Sequence, residues 1–147
     1  VASLARAFPR LTIVVNHTGV PIGIGPYASR RDEVFRHWRG GMAELAAYDN
    51  VFVKLGGLQM GVCRFDWTQR DVPPGSEEIA LASAPYYRTC IELLGPSRCM
   101  FESNFPVDKM ACSYTVLWNA FKRVAHDLSP SEKADLFHDA AVRAYRL

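Results

Sequence analysis

The sequence predicts an α/β fold, and within that class the carboxyl-terminal portion, about three βα units, of a (β/α)8 TIM barrel. Three observations predict it. Short apolar runs alternate with stretches of helical period, an order that sets parallel strands under right-handed crossover helices. Each apolar run leads into polar or glycine-rich residues, and long loops follow the first two. The first run, Leu11-Thr12-Ile13-Val14-Val15, is apolar on both faces with no earlier strand to pair with, which favours part of a larger barrel over a small open sheet. A barrel needs about 250 residues; this chain has 147.

The elements follow in order. Leu4-Ala5-Arg6-Ala7-Phe8 reads as the end of a helix that Pro9 stops. Leu11–Val15 is the first strand. Asp32–Tyr48 places Val34, Phe35, Trp38, Met42, Leu45 and Ala46 near a 3.6-residue period, against a cost of about 1 kcal/mol for each of Gly40 and Gly41. Val51–Leu55 is the second strand and runs into Gly56-Gly57. Pro85–Leu94 is a helix that Gly95-Pro96 stops. Cys99-Met100-Phe101 is the third strand, leading into Glu102-Ser103-Asn104-Phe105-Pro106. Met110–Ala125 is helical. Ser129-Pro130-Ser131-Glu132 is a capping box with proline at the first helical position, and it opens a last helix with Leu136, Phe137, Ala140, Ala141, Ala144 and Tyr145 on one stripe. Thr18–Arg31 and Leu58–Ser83 read as long loops at the carboxyl ends of strands, where parallel α/β folds carry their active sites.

Composition excludes several function classes. Apolar residues at 49% and charged residues at 22% belong to a core-forming globular chain and exclude disorder. Seventeen basic against fifteen acidic residues leave +2, too little for a nucleic-acid or anionic-membrane surface. No apolar run approaches the roughly 18 residues of a membrane span. No basic-then-apolar leader is present, and nothing resembles a nucleic-acid module. Cys63, Cys90, Cys99 and Cys112 are widely spaced without a C-x-x-C pair, which reads as reduced thiols of a cytoplasmic protein rather than a zinc site. The chain opens at Val1 without an initiator Met, so it is expected to be the end of a longer protein. Gly19 to Gly25 lacks the Lys-Ser/Thr of a phosphate loop, and there is no G-x-S-x-G or H-E-x-x-H.

Five residues are the candidates for chemistry. His17 closes the first strand, where an imidazole takes a proton near neutral pH or binds a metal; the alternative is a structural histidine that hydrogen-bonds the turn. Asp108, just past the third strand, is a base, a metal ligand or a helix cap. Asn104 has no titratable proton near neutral pH, so it orients a water or a carbonyl. Lys54 lies in an apolar strand and needs a carboxylate or an opening to solvent. It is either an ion pair of the scaffold or an anchor for an anionic substrate. Arg64, with Arg70, lies on the second long loop and is either solvated or a clamp for a carboxylate. Glu102 alternates with Ser103, so the two face opposite sides; Glu102 facing the helix layer would pair with a cation there.

Three motifs, in order, carry a resemblance. Phe8-Pro9-Arg10-Leu11-Thr12-Ile13-Val14-Val15-Asn16-His17-Thr18-Gly19-Val20-Pro21 resembles the sixth-strand motif of the amidohydrolase-related family, metal-dependent TIM-barrel hydrolases of the amidohydrolase superfamily. Asn50 to Leu58 is similar to the family's seventh strand and Arg98 to Lys109 to its eighth, and Asp139 to Leu147 resembles its terminal helix. The resemblance implies residues 1–147 as a partial barrel domain with strands six to eight. It implies water attack on the carbonyl of a small, often carboxylated lactone, ester or amide. His17 then stands beside the reacting water, and Lys54 and Arg64 hold a carboxylate. Asn104 falls where many members carry an aspartate that binds metal or acts as base. Its amide weakens a zinc-like divalent site, and the base role passes to His17 or Asp108, or the enzyme works without metal.

The expected partner is a small molecule, with neither nucleic acid nor membrane, and the chain is a candidate homo-oligomer. Two rivals stand beside the hydrolase. One is an inactive barrel fragment that self-associates through the edge of its first strand. The other is a small, complete α/β ligand-binding domain.

Overall fold

β-Branched and other apolar residues at Ile13–Val15 (β1), Val51–Leu55 (β2) and Cys99–Phe101 (β3) form one parallel sheet in the computed structural model, which describes residues 1–147. The strand order is β1-β2-β3, with Ile13 opposite Val51 and Val53 opposite Cys99. The helices are α1 (Ala2–Ala7), α2 (Arg31–Ala46), α3 (Ser76–Leu94), α4 (Tyr114–Val124), α5 (Pro130–Ala134) and α6 (Ala140–Tyr145), with a π turn at Asp135–Asp139 between the last two.

The strand period of two separates the sheet's faces. Val51, Val53 and Leu55 are fully buried among Met42 of α2, Ile79 and Leu94 of α3, and Leu117 of α4. Phe101 stacks on Phe121 at 4.6 Å, and Tyr87 meets both rings edge-on. On the opposite face Met100 packs against Ala140 and Ala144 of α6, whose small side chains let the helix come close, and Val14 and Phe52 are partly buried against this cluster. In a closed barrel such a face points inward.

The structure differs from the sequence reading at four elements, and β1 starts at Ile13 rather than Leu11. β1 is half-buried throughout rather than buried on both faces, because it is a sheet edge with β2 on one side only. α3 starts at Ser76, so the loop expected over Leu58–Ser83 ends at Gly75 and Pro85 lies inside the helix. Pro85 lacks the N–H that would reach the Leu81 carbonyl, and Leu81 lies on the solvent side of the helix, 71% exposed. The first turn carries Glu77 and Glu78, and the Glu78 carboxylate accepts from the Gly75 N–H at 2.9 Å. α4 starts at Tyr114 rather than Met110, because the Ser113 hydroxyl accepts the Val116 N–H at 3.3 Å and Val107–Met110 forms a 3-10 turn. α2 ends at Ala46, two residues short of Tyr48. The capping box at Ser129 is present: its hydroxyl accepts the Glu132 N–H at 3.3 Å, and Glu132 accepts the Ser129 N–H at 2.8 Å. No helix is long and apolar enough to cross a membrane.

Arg98 locks two helix ends together. Its guanidinium donates to the carbonyls of Tyr48 (2.7 Å) and Ala46 (3.1 Å) at the end of α2, and to Leu94 (3.0 Å) at the end of α3. A cation at two helix carboxyl ends also suits both dipoles. Replacing it leaves three carbonyls to water at best. Arg98→Met is expected to lower stability by about 2 kcal/mol, read as a lower urea midpoint with an unchanged slope.

Candidate active site

The site forms where the three strands end. After β1 the chain turns through His17, Thr18 and Val20, all left-handed at φ 53°, 55° and 49°. Such backbone persists only where its surroundings hold it. Here the Thr18 hydroxyl donates to the Gly56 carbonyl (3.1 Å) and accepts the Gly56 N–H (3.3 Å), while the Trp38 indole N–H donates to the Thr18 carbonyl (2.7 Å).

Gly56 and Gly57 then let both neighbouring strands approach the end of β2. A Cβ on Gly57 would lie 2.7 Å from the Cβ of His17, and its φ of 69° also calls for glycine. A Cβ on Gly56 would collide with the Glu102 backbone and side chain. The space so freed holds one carboxylate between the His17 imidazole and the Lys54 ammonium. Glu102 Oε1 lies 2.6 Å from His17 Nδ1 and accepts the His17 backbone N–H at 3.1 Å, and Glu102 Oε2 lies 3.5 Å from Lys54 Nζ. With Nδ1–H held by the carboxylate, Nε2 keeps its lone pair and can accept a proton. Burial disfavours the Lys54 charge, but Tyr145 and Glu102 outweigh it and hold its pKa above the usual value.

Asp108 is the second carboxyl group, 1% exposed on the turn after β3. Asn104, left-handed at φ 53°, donates its amide N–H to Asp108 Oδ1 at 2.8 Å, and Oδ2 has no partner. Burial pushes the Asp108 carboxyl up to about 6, against the lowering effects of the Asn104 hydrogen bond and the His17 charge, with Glu102 adding to the rise. Two other buried polar residues lie on the elements around it: the Gln59 amide donates to the Ser83 hydroxyl (3.1 Å) and accepts from the Trp67 indole (2.6 Å).

Of the five candidates, the structure sets His17, Asn104 and Asp108 at the carboxyl ends of β1 and β3, with Lys54 joined to His17 through Glu102. Arg64 is not brought to this group: it is exposed, its ion-pair partner is Asp66 at 3.7 Å, and its carbonyl accepts from Arg31. Glu102 does not face the helix layer; its cations are the two site residues themselves. The sequence reading assigned no role to Thr18, Gln59, Ser83 or Tyr145. The signal for Glu102 is a strand lysine and a strand-end glutamate separated by a Gly-Gly pair, readable only once the parallel register sets Lys54 opposite Met100.

A parallel sheet under crossover helices thus sets an oriented imidazole and a buried acid where the strands end. The amidohydrolase family model matches residues 1–147, and the chain belongs to that family. It is 40% identical over 144 residues to an uncharacterized protein, y4mH, of Sinorhizobium fredii, covering 98% of this chain and 42% of that protein. It is 34% identical to an L-fucono-1,5-lactonase of Burkholderia ambifaria, covering 99% of this chain and 45% of that enzyme. A crystal structure of an amidohydrolase from Burkholderia multivorans with bound HEPES is 28% identical and superposes with a TM-score of 0.82, over 99% of this chain and 48% of that one; another crystal form of it holds zinc. The α/β fold thus matches about half of an amidohydrolase chain, and the sequence spans less than half the length of the curated relatives it matches.

The family implies a divalent metal, and these residues alone do not fit one. No three His, Cys, Asp or Glu side chains are grouped to hold an ion. With Nδ1 engaged by Glu102, His17 offers Nε2 as its one donor atom, and the amide of Asn104 stands where its N–H serves Asp108, so no second and third ligand join it.

Asp108 ties stability to pH. Its folded-state value, about 6 against an ordinary 3.8, is raised, so the folded chain binds the proton more tightly than the unfolded one. The contribution of Asp108 to stability is therefore fully present below pH 4 and is lost as pH rises from about 4 to about 6, by on the order of 3 kcal/mol. Asp108→Asn is expected to remove that segment of the pH–stability curve, measured by urea unfolding at pH 4, 5, 6 and 7.

Proposed function

We propose that the chain supplies strands six to eight of a hydrolase that opens a small lactone or ester, sugar lactones included, by water attack on the carbonyl. The observation that carries the reading is the 2.6 Å contact between His17 Nδ1 and Glu102. It orients the imidazole so that Nε2 is the base. Nε2 takes a proton from water as the water oxygen bonds to the carbonyl carbon. The tetrahedral adduct then expels the ring or ester oxygen, which takes a proton from His17 or from the Asp108 carboxyl, giving a hydroxy acid or an acid and an alcohol. Asn104 positions the water or the leaving group. Lys54 keeps Glu102 in place and presents positive charge to a carboxylated substrate. The lactonase name of a 34% identical relative supports this substrate class, and four free, buried cysteines support a reducing, cytoplasmic setting.

The test is hydrolysis of a panel of sugar lactones, L-fucono-1,5-lactone first, by the full-length protein, followed with a pH indicator. His17→Asn is expected to lower turnover by about a hundredfold or more; unchanged turnover sinks the role of His17.

A second reading is a self-associating chain, favoured by the open edge of β1 and by Leu4, Phe8 and Leu11, which are exposed beside it. Under that reading the 147-residue chain sediments as a dimer or larger species. Leu11→Lys then shifts it to monomer, whereas a monomer at every concentration removes the reading.

A further inference from the structure

We propose that Gln59 is a positioning residue for Asp108: its side chain, clamped between the Trp67 indole and the Ser83 hydroxyl, pins the loop after β2 over the carboxyl and keeps water from it. The proposal rests on the hydrolase reading for its purpose, the use of the Asp108 proton, and on the geometry of the loop for its substance.

The clamp is built from one amide. An indole N–H only donates, so the 2.6 Å bond from Trp67 fixes Gln59 Oε1 as its acceptor, and Nε2 is left to donate to Ser83 Oγ at 3.1 Å. Gln59 is 4% exposed and Ser83 1%. A buried amide with either bond missing is costly, so the two bonds are kept together or water takes their place. Ser83 belongs to α3 and Trp67 to the loop, so the amide ties the loop to the helix behind it. The loop backs the indole in turn. The Phe65 ring lies parallel to Trp67 at 6.0 Å and meets Tyr86 of α3 edge-on, and the Arg31 guanidinium of α2 sits 4.7 Å from the Phe65 ring.

What the loop covers is Asp108. The carboxyl is 1% exposed, and Oδ2 has no hydrogen-bond partner. The Gln59 backbone and the Cys63 thiol face it from the loop, the Tyr87 hydroxyl from α3 and the Cys112 thiol from the turn before α4, with Asn104, His17 and Glu102 at the strand ends. Leu58, Cys63, Tyr87 and Cys112 belong to the core between the sheet and its helices, so this cover lies on the side that stays under those helices when a barrel closes. Burial is the largest influence on Asp108, ahead of the Asn104 bond, the His17 and Glu102 charges and the Gln59 backbone. Releasing the loop therefore acts mainly by admitting water, and the Asp108 pKa falls toward its ordinary value. Less of the acid then keeps a proton to lend to a leaving group near neutral pH.

The test needs no substrate, so its failure is distinct from a failure of the hydrolysis assay. In the full-length protein with 13C in its Asp carboxyls, the Asp108 signal, identified by its absence in Asp108→Asn, is expected to titrate at about 6. In Gln59→Ala, and in Trp67→Phe, which keeps a ring against Phe65 but removes the N–H, the midpoint is expected about 1 pH unit lower. Opening is read beside it as iodoacetamide labelling of Cys63, which is 2% exposed in the same loop. That labelling is expected to speed up about tenfold relative to the core Cys90. A merely structural Gln59 lowers stability and speeds the labelling but leaves the Asp108 midpoint where it was. An unmoved or raised midpoint in either variant overturns the proposal, whether or not the loop opens, as does a parent midpoint at the ordinary 3.8. Should Gln59→Ala not fold, Trp67→Phe decides alone, because Trp67 is only half-buried and its place keeps a ring. A lowered midpoint in a protein that hydrolyses no lactone upholds the role of Gln59 and retires only its purpose.

Discussion

The close approach of β1 and β3 to the end of β2 is the constraint on which the rest of the site depends. Parallel strands sit about 4.8 Å apart, and a side chain on either Gly56 or Gly57 would occupy the space that Glu102 and His17 now fill. Remove that clearance and His17 loses its carboxylate, Lys54 its partner, and the Thr18 hydroxyl its two bonds to Gly56. The left-handed turn at His17 and Thr18 persists because these bonds and the Trp38 indole hold it from both sides. Backbone geometry, more than any single charged group, places the chemistry.

Two carboxyl groups then receive opposite treatment within a few residues of each other. Glu102 stands between an imidazole and an ammonium. Asp108 is buried with one amide hydrogen bond, and burial raises its pKa to about 6. Unlike environments for neighbouring acids separate a group that orients a base from one that can hold a proton near neutrality. The same low polarity that raises Asp108 pushes the Cys63 thiol up to about 12 and keeps it inert.

The strands, α2, the Ser129 capping box and the grouping of His17 with Asn104 and Asp108 were legible in the sequence, because each rests on local pattern or on the rule that sites gather where parallel strands end. The start of α3 was not: proline is common at the first turn of a helix, and nothing local distinguishes that place from an interior position whose freed carbonyl belongs to an exposed residue, as at Leu81. Glu102 was hidden for a different reason. Alternation along a strand says that Glu102 and Ser103 part ways, but which side meets Lys54 depends on the register between β2 and β3, and no local pattern encodes register. Arg64 was misplaced by its loop, whose turns through Arg64 and Asp66, both left-handed, pair the two with each other. Tyr145 belongs to the apolar stripe by period, yet it sits beside a charged group because α6 ends there.

The sheet order, β1-β2-β3, follows the order of synthesis. No strand must be threaded between two others already in place, and each new strand finds its partner one unit back along the chain. A growing polypeptide can therefore add this sheet at the ribosome one βα unit at a time, with the open edge of each strand waiting only for the next unit to be made. α6 comes after all three strands and packs Ala140 and Ala144 on Met100 of β3. That contact forms only once all three strands exist, so Met100 waits for a segment some forty residues further along the chain.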